Sequence, residues 1–333
     1  MTNNEIKINE ITVDSIYKLI DRAPTAIISD SFVITNNKLK NYDNIAVSIS
    51  GGSDSDIVLD IIERLRSGKY IRYVWFDTGL EYQATKNHLD YLEKKYHIQI
   101  DRVKAIKPIP LACRQYGQPF LSKKVSDFIK RLQAHNFKWE DEDFDTLYKK
   151  YPKCKAALRW WCNKWGENSR FNISNNKWLK EFMIANPPQF KISDQCCEWA
   201  KKKVVKRYIK LNNSELNVFG VRKAEGGARA TAYKTCFSSG EHTDEYRPIF
   251  WYKTEDKEAY EQAFNITHSK CYSCYGLERT GCAGCPFGKD FEKELEIIRE
   301  YEPKLYIAVN NIFGNSYEYT RKYIEFVKQM EGN

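Results

Sequence analysis

The chain of 333 residues has no run of roughly 18 apolar residues that could span a bilayer. It also lacks a charged and then apolar leader ending in small residues. These absences predict a cytosolic protein with no membrane partner. There is no repeat of fixed period and no low-complexity tract, which leaves an ordinary globular chain, long enough for a full α/β core plus an insertion or a second, smaller domain. Its one glycine-rich loop after an apolar run lacks the Gly-Lys-Ser/Thr ending of a Walker loop, so that class of nucleotide site is excluded. Ten cysteines in a reducing compartment do not read as structural disulfides; the Cys-Cys and Cys-x-x-Cys spacings point to metal or sulfur chemistry. The formal charge of +9 suits a polyanionic partner, or simply a solvated lysine-rich surface.

The loop that is present, Ser50-Gly51-Gly52-Ser53-Asp54-Ser55, follows the apolar run 44–49 and precedes Ile57, Val58, Ile61, Ile62 and Leu65. A buried strand therefore leads through a tight turn into an amphipathic helix. Paired glycines let backbone N–H groups face an anion, and the new helix adds its positive end. Asp56, next along, suits either a magnesium ion beside phosphate or the first turn of a helix, where negative charge matches the dipole. The S-G-G-x-D-S pattern resembles the PP-loop of ATP pyrophosphatases, the superfamily that includes the phosphoadenylyl-sulfate reductases and the sulfur-inserting enzymes of tRNA and DNA. That resemblance implies an adenine nucleotide hydrolase-like fold, α/β with a doubly wound, mostly parallel sheet, and an adenine nucleotide held at the loop.

Residues 5–22 read as an amphipathic helix beside the sheet. A second strand at 70–76 ends in Asp77-Thr78-Gly79, expected on the same rim as the loop, where open α/β sheets bind ligands. A helix over 81–96 and a strand over 98–105 continue the βαβ alternation. From Pro108 to Lys210 the pattern turns helical, polar and aromatic. Within it, residues 177–210 hold nine Lys/Arg against three Asp/Glu, interleaved with Trp178, Phe182, Phe190, Trp199 and Tyr208. That composition fits either a nucleic-acid surface or a basic helix with core aromatics. A strand over 216–222 leads to Gly220, Arg222, Glu225 and Arg229, similar to the family's Gly-x-Arg-x-x-Glu-Ser-x-x-Arg element with Gly226 in place of the serine. Two arginines on such an exit can clamp phosphate and offset charge as an anhydride breaks.

Cys196-Cys197 cannot easily form a relaxed disulfide but can serve one metal centre together. Further on come Cys271-x-x-Cys274 and Cys282-x-x-Cys285. Spacing alone permits a local four-cysteine site, zinc or cluster, or a set that joins the distant pairs. The adjacent pair before a basic helix, with a later Cys-x-x-Cys, resembles the iron–sulfur signature of the assimilatory adenylyl-sulfate reductases. That resemblance implies a [4Fe–4S] cluster on Cys196, Cys197, Cys282 and Cys285, with zinc as the alternative, leaving Cys271 or Cys274 to carry sulfur.

The domains expected are 1–107, the first part of the nucleotide domain; 108–210, a helical insertion ending in the Cys-Cys pair; 211–290, the completed α/β domain with its cysteine-rich segment; and 291–333, C-terminal helices. The nucleotide residues expected are Ser50, Gly51, Gly52, Ser53, Asp54, Ser55, Asp77, Thr78, Gly79, Gly220 and Arg222; the catalytic ones are Arg222, Arg229 and Cys271. ATP and Mg2+ are the expected ligands, with pyrophosphate released on adenylation of a substrate and sulfur then transferred, as in DndC-type proteins of DNA phosphorothioation. A sulfur donor or a DNA-binding protein is the expected partner. Reductases of the family attack with a cysteine on a C-terminal tail, and no cysteine follows Cys285 here. Reduction of adenylyl sulfate or phosphoadenylyl sulfate is the alternative activity, and a non-catalytic nucleotide and iron–sulfur sensor the third reading.

Overall fold

A computed structural model describes residues 13–226, 231–288 and 290–332. The chain divides into two compact units. The first takes Met1–Asp77, Glu81–Lys104 and Val204–Gly281; the second takes Thr78–Leu80, Ala105–Lys203 and Cys282–Asn333.

The first unit is built on a six-stranded sheet. Its strands are β1 Ile45–Ser48, β2 Ile71–Asp77, β3 Ile100–Lys104, β4 Leu216–Phe219, β5 Phe237–Ser238 and β6 Asp244–Tyr246, in the order β3-β2-β1-β4-β6-β5. All neighbours are parallel except β5 and β6. β1 lies between β2 and β4, with Ile45 opposite both Ile71 and Leu216. A central parallel strand is covered on both faces, which is why β1 reads as an unbroken apolar run. Val47 and Tyr73 join the large core with the helices Ala26–Asn41 and Ser53–Leu65. Ala46 and Val74 instead pack with Tyr208 and Ile209 of the helix Lys203–Leu211. Alternate residues of a strand point to opposite faces, so the sheet carries helices on both sides, as a doubly wound α/β fold requires.

The chain runs from β1 outward through β2 to β3, then returns to place β4 on the other flank of β1. The order reverses at β1 and β4, and in open sheets that switch point opens a crevice at the carboxyl ends of the strands. The loop after β1 and the exit of β4 stand there. The edge pair β5 and β6 is an addition that sequence periodicity did not show, because strands of two and three residues carry no measurable period.

The second unit is helical apart from an isolated bridge between Gln118 and Ile192, among the described residues. Trp160 and Trp161 are buried, with Trp160 stacked on Phe128 at 5.3 Å, and Tyr319 and Tyr323 of the long helix Pro303–Gly332 join the same core. Among the described residues, no helix is long and apolar enough to cross a membrane.

Candidate functional sites

The first site is the loop after β1. Gly51 takes φ +72°, and a Cβ there would meet Thr85 Cγ2 at 2.6 Å, so the turn requires glycine twice over. Gly52 caps the helix Ser53–Leu65 in extended conformation. Ser50 Oγ accepts from the Gly52 N–H at 3.3 Å and donates to Ser55 Oγ, whose own hydroxyl reaches the Gly52 carbonyl at 2.8 Å. These bonds tie the loop to itself. They also account for Ser55, which is buried and does not line the cavity.

Around the loop opens a cavity lined mostly by polar side chains. Ser50, Gly52, Ser53, Asp54, Gly220 and Arg222 line it, as the sequence pattern leads one to expect, together with Lys257, Tyr272 and Arg279, which it does not reveal. Arg222 Nε donates to Asp54 Oδ1 at 3.0 Å, while its Nη1 is buried with no hydrogen-bond partner. Lys257 Nζ donates to Ser53 Oγ at 2.6 Å, and the Tyr272 hydroxyl accepts from the Ser53 N–H at 3.0 Å. Three cations, Arg222, Lys257 and Arg279, thus share the walls with three carboxylates, Asp54, Glu225 and Glu278. Side chains alone leave the cavity near neutrality, so the preference for an anion comes from the loop N–H groups and the helix end.

Gly51 and Asp77 belong to the same unit but do not line this cavity. Thr78 and Gly79 fall in the second unit, where the Thr78 hydroxyl bonds Cys282 Sγ at 3.7 Å and its carbonyl accepts from Ile109 N at 2.9 Å. Arg229 lies outside the described residues. Cys271, expected to carry sulfur, is fully buried beside Thr85 Oγ1 at 3.6 Å, whereas Cys274 is exposed. A carrier must be reached by its donor and acceptor, so the burial of Cys271 argues against that role and favours a packing one.

The second site lies wholly in the helical unit. Cys196, Cys197, Cys282 and Cys285 line one cavity with Ile109, Ala200, Lys201 and Phe313. Cys196 and Cys197 sit in the short helix Gln195–Cys197, which runs into a π-helical turn, Glu198–Lys202, a feature frequent at functional sites. Cys282 and Cys285 are carried by a turn in which Gly284 takes φ +60°, with its carbonyl accepting from the Tyr317 hydroxyl. Cys271 and Cys274, in the other unit, take no part in this cavity. A fifth thiol, Cys113, is near enough to Cys196 to raise it; as a lone cysteine outside any pair, it gave no signal in the sequence.

The Cys113 hydrogen bond first, with burial added, raises the Cys196 thiol well above its ordinary range; the hydrogen bond to Cys196 and then burial do the same for Cys197. Burial, with the charge of Cys282, pushes Cys285 up to about 12. Thiols raised in this way, Cys196, Cys197 and Cys285, keep their protons unless a cation joins them, and metal binding is the usual means of drawing the protons off. Among the described residues, no three His, Cys, Asp or Glu side chains converge as a single metal ion would require. A cubane takes one thiolate on each iron, so its four ligands need not converge on a point, and four cysteines around one cavity are the donor type it uses.

The basic stretch 177–210 divides by burial. Phe182 and Tyr208 are buried in the cores of their units, and Trp199 is stacked on Tyr116 with Lys203 at 3.5 Å over its ring. These aromatics are already packed, so they form no free platform for bases. Lys201, Lys202, Lys206, Arg207 and Lys210 are exposed.

Residues 44–159 match the family described as the phosphoadenosine phosphosulfate reductase domain. An uncharacterised protein of Methanocaldococcus jannaschii is 24% identical over 81% of this chain, which spans 45% of that protein's length. Among solved structures, a phosphoadenylyl-sulfate reductase from Candida auris in complex with phosphate is 10% identical, with a TM-score of 0.44, covering 82% of this chain and 96% of that one. The U34-tRNA thiolase of Methanococcus maripaludis, with its [4Fe-4S] cluster, is 11% identical, with a TM-score of 0.36, covering 89% and 79%. Both scores lie below the level that establishes a shared fold.

Proposed function

From the phosphoadenosine phosphosulfate reductase domain over residues 44–159, we propose that the chain is a PP-loop enzyme that binds ATP with magnesium, adenylates a substrate with release of pyrophosphate, and supports thiolation of a nucleic acid through an iron–sulfur centre. The observation that carries this reading is the mixed wall of the loop cavity, three cations and three carboxylates around backbone donors. A bare sulfate or phosphate has no use for the carboxylates. A metal-bound triphosphate uses both sets, with Asp54, Glu225 and Glu278 available to the magnesium and Arg222, Lys257 and Arg279 to the phosphate oxygens.

In the reaction a substrate oxygen attacks the α-phosphorus of ATP, and the bond to the β-phosphate oxygen breaks. The leaving pyrophosphate takes up the negative charge. Loop N–H groups and Lys257 hold that leaving group, and Arg222, whose Nη1 is buried and unpartnered, offers a donor for the charge that develops. Cys196, Cys197, Cys282 and Cys285 would hold the cluster, which supplies the sulfur chemistry when bound. Cys274, exposed, is the cysteine a sulfur donor can reach in the first unit.

Pyrophosphate should appear when the anaerobically prepared protein meets ATP, magnesium and its nucleic-acid substrate. Sulfite released instead from adenylyl sulfate or phosphoadenylyl sulfate would assign the chain to the reductases, and neither product would leave a sensor. Lys257→Ala should weaken ATP binding by roughly 10- to 100-fold, the worth of one charge-assisted hydrogen bond, as measured by calorimetry.

The exposed cations Lys206, Arg207 and Lys210 of the first unit are proposed to hold the nucleic acid by its phosphates. The Kd for a tRNA or DNA fragment should then rise steeply with salt, and replacing Lys206, Arg207 and Lys210 by alanine should flatten that slope by roughly one unit for each phosphate no longer neutralised. A slope that the replacements leave unchanged would assign these side chains to ordinary surface.

A further inference from the structure

Behind the loop, the helix Ser53–Leu65 buries two aspartates a turn apart. Asp60 is fully answered: Arg64 bonds both its oxygens, and the hydroxyls of Tyr96 and Tyr260 donate to it at 2.9 and 2.7 Å. Asp56 is different. His268 Nδ1 stands 2.7 Å from Asp56 Oδ2 and His88 Nε2 3.0 Å from the same oxygen, while Asp56 Oδ1 is buried with no partner. The His88 contact is not aligned as a hydrogen bond, so His268 is the group that holds this carboxylate.

His268 continues outward. Its Nε2 lies 2.8 Å from Glu261 Oε1, and that same oxygen is 3.6 Å from Lys257 Nζ. Lys257 reaches Ser53 Oγ and lies 3.6 Å from Asp54 Oδ1, which also accepts from Arg222. Charges therefore alternate along one line from the interior to the cavity: Asp56, His268, Glu261, Lys257, Asp54, Arg222. Every member belongs to the first unit.

We propose that His268 is a positioning residue for the loop cavity: while protonated it holds Glu261, which leaves Lys257 on the phosphate site, and when it loses its proton Glu261 draws Lys257 inward and phosphate binding weakens. The proposal rests on the phosphate reading of the cavity. Burial opposes a charge on the ring, but the hydrogen bonds and charges of Asp56 and Glu261 outweigh it and push His268 up to about 9. The groups that face it are Asp56 from the loop helix, His88 from the helix Gln83–Tyr96, Glu261 and Lys257 from the helix Thr254–Phe264, and the Tyr272 ring at 5.7 Å. A raised histidine pKa means the cation is present at neutral pH and is lost as pH rises through about 9.

The test is calorimetric binding of the magnesium complex of an α,β-methylene ATP analogue to the full chain between about pH 7.5 and 9.5. Wild type should lose roughly tenfold in affinity across a midpoint near 9. His268→Gln should bind weakly even at the lower pH and show no step. Glu261→Gln, which removes the group that withdraws Lys257, should bind well and also show no step, and adding it to His268→Gln should restore affinity. Restoration separates positioning from mere loss of structure. A His268→Gln protein that keeps both wild-type affinity and the step overturns the relay while leaving the phosphate reading intact. A wild type that binds no analogue at any pH overturns the phosphate reading, and the relay with it.

Discussion

If the proposed cluster is present, Cys196→Ala and Cys197→Ala, prepared without oxygen, should each lose most of the iron found in the wild-type protein, while Cys274→Ala should keep it. The two cysteines of the adjacent pair share one cavity with Cys282 and Cys285, whereas Cys274 is exposed in the other unit. A four-thiolate cluster that loses one ligand has an open iron, and in a cavity whose other walls are Ile109, Ala200, Lys201 and Phe313 the chain offers few donors to replace it. Cys113, near Cys196, is the exception. If it substitutes, Cys196→Ala retains part of its iron and the double change with Cys113→Ala loses it, while Cys197→Ala loses its iron outright. Iron, sulfide and zinc analysis, with circular dichroism to confirm folding, reads all of these. Stoichiometric zinc, or iron that disappears only on changing Cys271 and Cys274, would place the centre on the local four-cysteine set instead.

The sheet and the loop were legible because their information is contiguous. The runs at 44–49, 70–76 and 98–105 become β1, β2 and β3, the first and third shortened at both ends and the second shifted on by one residue, and the glycine pair sits between strand and helix where periodicity changes from one type to the other. The far wall of the cavity was not legible. Lys257 lies one turn into a helix about 200 positions beyond Ser53, and Tyr272 and Arg279 stand inside the cysteine block, where the Cys-x-x-Cys spacing draws attention away from them. The adjacent cysteines could be related to Cys282 and Cys285 only through a family pattern, since nothing local distinguishes those two from Cys271 and Cys274. Phe182 and Tyr208 show the limit of composition. Aromatics between lysines describe a stacking surface and an amphipathic core helix equally well, and burial decides for the core. His268 and Asp56 could not be linked from sequence at all, because their partnership exists only once two distant segments of the chain pack together.

Gly52→Val should abolish ATP binding, a loss of more than about 100-fold, in a protein that still folds. Gly52 takes φ −95°, which any residue accepts, so the substitution carries no backbone strain. What a side chain meets there is the cavity itself. A Cβ would stand 3.0 Å from Thr280 Oγ1, 3.2 Å from the Tyr272 hydroxyl and 3.3 Å from Ser50 Oγ, all ends of side chains that can shift. Valine adds two methyl groups to that position, placing apolar volume where phosphate oxygens would approach the loop N–H groups. Gly220 makes the contrast. Its Cβ would meet the Asp54 carbonyl carbon and oxygen at 2.9 Å, backbone atoms that cannot yield, so Gly220→Val should lower the unfolding midpoint as well as binding. Calorimetric titration with ATP beside a thermal melt distinguishes the two. If folded Gly52→Val protein binds ATP with wild-type affinity, the loop does not hold the phosphates, and the enzyme reading fails at its base.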